Sequence, residues 1–570
     1  MMIEMNKIEK NNKLFFILEF FFQSLLVLIF IIFIFSSYLY SDVIGTIENV
    51  EGEFVYEDNE GNKQLYEELD DILLDIPYQL SNGNSVSISL LDGTFITFEN
   101  KTEFKFLGFQ NTDQARPIIS MEVPFGIFTI ETGDIPKRNK DSSNIITPVG
   151  KLILNGTLVS ASLSNDQNDI YLMTDSYGND GELLIENSSG EAQSVSPNQG
   201  VRVSEQGVDN IEVSEELTTR LNNNADKIVN AAIVDDAKID ALIEKKIQSG
   251  KIADINGDGI INDEDIAQLK SNIINTKNSQ VDKMINNTTS NSSLLSKVIA
   301  NSPDQNSSDI LEKIILAKPD ITSIVVDTLV NENSDKLNAI AQSNSTAIEN
   351  ILTTIASNNN SNDDQLSNIL SKVDQNVASN LMDKVVDNKP ELLTSVITKV
   401  SASNPLKLTE IVGQNESLSN KVSATIVDQV TSSSNGTDQL KSLMKSVDGG
   451  ISSNLLTQIN QTNPEIASSA IKGLVSESPE KITELLNNNI TSADTSISEL
   501  VIKEAIASGK QDIISDVALS IQAENPELLA VISESVQQNT QDLIDEGLID
   551  EDSIASDQEL LLTEILASPN

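Results

Sequence analysis

The chain has 570 residues, more than one compact core accommodates and enough for about three or four domains. A net charge of -49, from 86 acidic against 37 basic side chains, argues against binding nucleic acid through its phosphates, which needs clustered Lys and Arg. With neither cysteine nor histidine, the chain excludes disulfides, thiolate metal sites and every Ser-His or Cys-His nucleophile.

Lys7, Lys10 and Lys13 precede an apolar stretch that is unbroken from Leu25 to Phe35, the order of a charged n-region and an h-region. Residues 1–41 are therefore read as an export signal. Two fates stay open: cleavage after Ser41, or retention of 14–40 as a single membrane anchor. In either case, lysines before the apolar run and Asp42 and Glu48 beyond it place the bulk of the protein outside the cytoplasm.

From residue 42 to 205 the composition changes to short runs rich in Val, Ile, Phe and Thr. Alternation in "SVSISL" (85–90) and "TFITFE" (94–99) is the period-2 signature of half-buried strands, and Asp92-Gly93 is a hairpin turn signal. An all-β domain is expected.

Within it, "GTIENVEGEF" (45–54), "SISLLDGTFITFENKTEF" (87–104), "GIFTIETGDI" (126–135), "ITPVGKLILNGTLVSA" (146–161) and "SPNQGVRV" (196–203) follow one another in an order that resembles the FecR-type periplasmic domain of bacterial envelope proteins. The resemblance implies a small extracytoplasmic β domain used for sensing or protein contact, with no catalytic residues to carry over. In better-known members a cytoplasmic segment that handles a sigma factor precedes the membrane span. Only a short stretch precedes the apolar run here, so a stand-alone envelope protein is the first expectation and a single-span regulator of the anti-sigma type the alternative. A carboxylate-dependent hydrolase is a third reading, since paired acids are the catalytic chemistry left to such a chain.

Residues 206–280 read as helical around a polar loop. Val213 to Ile247 is expected as one helix, ended by Ser249-Gly250. The loop that follows, "DINGDGIINDED" (254–265), sets oxygen donors where a calcium ion needs them: Asp254, Asn256, Asp258, the Ile260 carbonyl, Asn262 and Asp265, with Gly259 at the sharp turn. Asp265 stands where an EF-hand has its bidentate Glu, so the loop resembles the dockerin type, although dockerins carry two such loops and this chain has one. Ile266, Leu269 and Ile273 give the outgoing helix an apolar face. Calcium as a structural clip is the expected role.

From 281 to 570 aromatic residues nearly vanish and helix starts recur: "NSPD" (301–304), "AKPD" (317–320), "NKPE" (388–391), "TNPE" (462–465), "ESPE" (477–480) and "ENPE" (524–527). Each combines a capping residue, a proline where its missing N–H costs nothing and an acid favoured by the helix dipole. Apolar pairs a turn apart follow, as in Ile310, Leu311, Ile314 and Ile315, or Leu392, Leu393, Val396, Ile397 and Val400. Helices of about ten residues are marginal alone, so a degenerate array stacked like an α-solenoid is expected.

The whole reads as a multidomain chain: export segment, FecR-like β domain, helical segment with an EF-hand-like loop, and an Asn/Ser-rich helical repeat region with an acidic end. The expected function is that of a non-enzymatic binding, scaffold or sensory module of a bacterial periplasm or cell surface. Its expected partner is a protein or an envelope polymer, with the membrane added if the apolar segment is retained.

Overall fold

The chain divides into two compact units, 1–294 and 295–570. The computed structural model describes residues 43–549 except 58–62, 111–117, 139–141, 149, 166, 188–189, 191, 205–206, 253–254, 256–259, 290, 414, 490–495, 511–512 and 515–527. The export segment lies outside the described residues, and among those described no helix is long and apolar enough to cross a membrane.

The first unit is rich in strands from 43 to 211, then helical. Its strands are β1 (Val43–Glu51), β2 (Phe54–Glu57), β3 (Lys63–Tyr66), β4 (Asp71–Leu73), β5 (Pro77–Leu80), β6 (Ser85–Leu90), β7 (Phe95–Gln110) and β8 (Ile118–Glu131). After helix α1 (Asp134–Arg138) come β9 (Ser143–Thr147), β10 (Gly150–Asn155), β11 (Leu158–Leu163), β12 (Gln167–Met173), β13 (Glu182–Asn187), β14 (Ala192–Val195), β15 (Gln199–Ser204) and β16 (Gly207–Ile211). One path through the sheet runs β14-β13-β10-β9-β8-β11-β12-β15-β16, and β7 joins β8 to the strands that precede it. Pairing is antiparallel except between β8 and β9.

Local chemistry explains the turns. Between β6 and β7, Gly93 adopts φ +87° while the Asp92 carboxylate accepts the Thr94 N–H at 3.0 Å and its hydroxyl at 2.9 Å. Further along, β7 and β8 slip register near Asn100 and Lys101, both at positive φ; opposite them a Cβ on Gly126 would meet Thr102 Oγ1 at 2.3 Å, so only glycine fits.

Phe54, Tyr78, Phe98 and Phe104 stack face to face at the centre of the core, with Phe98 and Phe104 centroids 3.7 Å apart. Ile44, Ile47, Ile88, Ile96 and Phe128 surround them, all fully buried.

Strand β6 departs from the half-buried pattern that its alternation predicts: all six residues are buried. The serine face lies under helices rather than water. Ser87 Oγ sits 3.1 Å from Thr97 Oγ1, which donates to Asn224 Oδ1 at 2.7 Å on α2 (Glu215–Ala232). Lys227 Nζ donates to Ser85 at 3.0 Å. Buried hydroxyls persist because each finds such a partner.

The helix expected from 213 to 247 is two, α2 and α3 (Asp236–Gln248), because Asp235 caps the second by accepting from the Ala237 and Lys238 N–H groups. Ser249 and Gly250, the latter at φ +68°, end α3 at the expected place. A longer helix, α4 (Asp263–Asn287), completes the unit.

In the second unit every described proline signal falls at a helix start, but of the expected caps Asn463 accepts the Ile466 N–H whereas the starts at 304, 319 and 390 have no side-chain cap. Helix Asp304–Ala317 follows Pro303, Pro464–Glu477 and Pro479–Asn489 open on their prolines, and Pro319 and Pro390 begin single 3₁₀ turns that lead into Thr322–Glu332 and Leu393–Ser403. The start at 524–527 lies outside the described residues. Ile310, Leu311, Ile314, Leu393, Val396, Ile397 and Val400 are buried, whereas Ile315 and Leu392 lie at the edge of the stripe.

Most helices pack on the next but one: Ser345–Ser357 on Gln375–Asn388, Asp363–Lys372 on Leu393–Ser403, Gly436–Ser446 on Pro464–Glu477 and Gly449–Thr462 on Pro479–Asn489. A recurring polar tie accompanies this step. Lys336, Lys389, Lys407 and Lys481 are each buried and donate to the carbonyls of Ser302, Ser361, Val373 and Val447, the second at 2.7 Å and the third at 2.7 Å. Ser302, Val373 and Val447 each follow directly on the end of a helix, so the ammonium also meets the negative end of a helix dipole.

Two outcomes are expected. Phe104→Ala opens the aromatic stack and costs about 3 to 5 kcal/mol, read as a lower denaturation midpoint of the β-rich unit. Lys407→Met keeps the stem but strands the Val373 carbonyl and costs about 1 to 3 kcal/mol in the helical unit.

Candidate functional site

The loop 254–265 sits between α3 and α4. Asp254, Asn256, Asp258 and Gly259 lie outside the described residues; Ile260, Asn262 and Asp265 lie within them. Asp265 is fully buried despite its charge. Its Oδ1 accepts the Ile255 N–H at 2.8 Å and its Oδ2 the Asn262 N–H at 3.0 Å, so one carboxylate fastens both ends of the loop. Asn262 completes a capping box by accepting the Glu264 N–H at 2.7 Å, and its amide donates to the Ile260 carbonyl at 3.3 Å.

The flanks are as well anchored as the loop is polar. Ile239, Ile243, Ile252 and Ile273 form a small buried cluster against which Leu69, Ile266 and Leu269 pack. Lys246 reaches Asp70 at 2.5 Å, and Lys251 donates to the Leu65 carbonyl at 2.9 Å while standing 3.6 Å from Glu67. Both lysines therefore tie the loop to β3 and to the turn between β3 and β4.

Asp265, Asn262 and the Ile260 carbonyl, at positions 12, 9 and 7 of the loop, are hard oxygen donors of the kind calcium prefers, and in this structure each of them accepts a hydrogen bond from within the loop or the start of α4. Among the described residues no group of three acidic side chains is placed to hold a metal, and three of the six expected ligands lie outside that set.

A second polar cluster, which the sequence did not reveal, lies at the other end of α4. Glu131, at the end of β8, is buried and accepts the Ser176 N–H at 3.0 Å and its hydroxyl at 2.6 Å. Burial pushes its carboxyl up to about 7, the nearby Asp175 charge acting in the same direction and Ser176 and Lys137 against it.

Asp175 is buried too. Its Oδ1 accepts the N–H groups of Tyr177 at 3.0 Å and Asn179 at 2.7 Å, and Lys137 Nζ from α1 stands 3.7 Å from its Oδ2. The end of α4 closes over this turn: Asn179 donates to the Asn287 carbonyl at 3.3 Å and Thr289 to the Tyr177 carbonyl at 3.1 Å. No signal in "ETGDIPK" (131–137) or "TDSYGND" (174–180) marks these residues, because Asp175 meets Glu131 and Lys137 from a segment far along the sequence.

These contacts set two outcomes. Asp265→Ala removes the capping box and the Ile255 tie, which costs about 1 to 3 kcal/mol of stability in the first unit by chemical denaturation. Glu131 binds its proton more tightly folded than unfolded, so its contribution is whole below about pH 4.5 and is lost as pH rises through about 7. Glu131→Gln should therefore flatten the pH dependence of the melting midpoint between those two values.

No family of known proteins matches the chain, and no curated protein matches it. One solved structure, described as "The structure of the COPII coat assembled on membranes", aligns over 77% of this chain and 72% of its own at 14% identity, with a TM-score of 0.10.

Proposed function

We propose that this chain is an exported bacterial envelope or surface protein that acts through its surfaces rather than through catalysis. In this reading a FecR-like β domain occupies 42–205, a calcium ion clips the loop 254–265, and the helices beyond form an α-solenoid-like array that binds or spaces a protein or an envelope polymer.

The observation that carries the reading is the stepping of polar ties through the helical unit. Lys336 to Ser302, Asn344 to Ser308, Lys399 to Asp364, Lys441 to Glu477 and Asn489 to Ser453 each join residues between 34 and 36 positions apart. Chains whose elements meet only near neighbours are stabilised like stacked repeats and present long surfaces suited to binding. The charged, then apolar order of residues 1–41 supports export.

The calcium clip draws support from Asp265 and Asn262, which gather the ends of the loop. At an extracellular calcium of about 1 mM, even a site with Kd about 10⁻⁴ M is filled and adds on the order of 1 to 2 kcal/mol. Thermal unfolding of the full chain should then shift upward with calcium and downward with chelator, and an Asp254→Ala, Asp258→Ala variant should respond to neither. Equal midpoints with and without the ion would remove calcium from the account.

Export is tested by fractionating a bacterial host that expresses the full chain. Recovery from the periplasm or envelope with a mature amino terminus near Asp42 supports the stand-alone protein; an intact amino terminus in the inner membrane favours the single-span regulator; recovery from the cytosol defeats both.

A further inference from the structure

We propose that Lys137 and Asp175 condense to an intramolecular isopeptide bond. The two side chains come from α1 and the turn after β12, so the bond would staple two segments of the first unit in a chain without cysteine.

The geometry is that of a reaction poised to occur. Lys137 Nζ is shielded from solvent and makes no hydrogen bond among the described residues; it stands 3.7 Å from Asp175 Oδ2 and 5.5 Å from the centroid of the Tyr177 ring. A surface lysine would turn its ammonium to water. This one is held inward, its stem running past Gly156.

Asp175 is held as an acyl acceptor. Its Oδ1 takes two backbone N–H groups, from Tyr177 and Asn179, at 3.0 and 2.7 Å. Paired backbone donors on one oxygen are the arrangement that stabilises an oxyanion, while Oδ2, which takes the Asn179 side-chain amide at 3.1 Å and no backbone donor among the described residues, is the oxygen that departs. An amine and a carboxyl held side by side in the fold gain much of the rate that a bimolecular encounter would lose.

The step balances without any co-reactant. The ammonium gives one proton to Asp175 Oδ2, 3.7 Å away, and the neutral amine attacks Asp175 Cγ. The C–N bond forms as negative charge collects on Oδ1. Collapse of this intermediate breaks the bond to Oδ2, which leaves as water carrying two protons from the former ammonium. An ammonium and a carboxylate become one secondary amide and one water.

Peptide mapping by mass spectrometry of the purified, folded full chain tests the proposal. The expected result is a branched species joining the peptides that hold Lys137 and Asp175, lighter than their sum by one water. Lys137→Arg and Asp175→Ala should each abolish it. Circular dichroism shows whether each variant has kept its fold. Recovery of both peptides unjoined and at full mass from wild-type protein with native circular dichroism overturns the proposal.

Discussion

The first unit depends on burying the polar face of its sheet. Ser85, Ser87, Ser89 and Thr97 would ordinarily face water, yet α2 and α4 lie over them, and the hydroxyls are satisfied by Glu51 and Lys227 at Ser85, by Thr97 at Ser87, by Asn224 at Thr97 and by Gln280 at Ser89. Unsatisfied, each would cost on the order of 1 to 3 kcal/mol. Helix α4 is the brace that this layer requires. Gln280 donates to Glu48 and to Ser89, Lys283 to the Leu91 carbonyl and Lys277 to the Ala231 carbonyl.

That brace links the two polar sites. Its start carries the closing side of the loop, where Asn262 and Asp265 cap the helix, and its last turn closes over the turn that holds Asp175. With 25 residues it spans about 37 Å, so the two sites lie at opposite ends of one rigid element. A clip at one end and a covalent staple at the other would both act on the docking of α4. Neither needs histidine or cysteine, the residues this chain lacks.

The second unit solves a different problem with the same economy. Its helices are short and nearly free of aromatics, so no single pair buries enough to stand alone. Stacking on the second neighbour supplies the apolar contact, and the buried lysines fix its register, because an ammonium reaches a helix end only when the step is correct. Exposed ion pairs such as Lys441 and Lys445 with Glu477 add little to this, since water screens them.

Much of this architecture was legible in the residues. Alternation in 85–99 located strands, Asp92-Gly93 located their turn, and prolines at 303, 319, 390, 464 and 479 located helix starts, because each of these signals acts within a few residues through backbone geometry. Asp265 was legible as a loop residue for the same reason, whereas its burial and its bond to Ile255 were not. Sequence periodicity misjudged β6 because period 2 reports which face is polar, not what covers it. Whether a serine face meets water or Asn224 is decided by a helix 127 residues away. The Lys137, Asp175 and Glu131 cluster was invisible on the same ground: its chemistry arises from burial and proximity, which belong to the tertiary structure, while the residues by themselves determined only the elements that carry them.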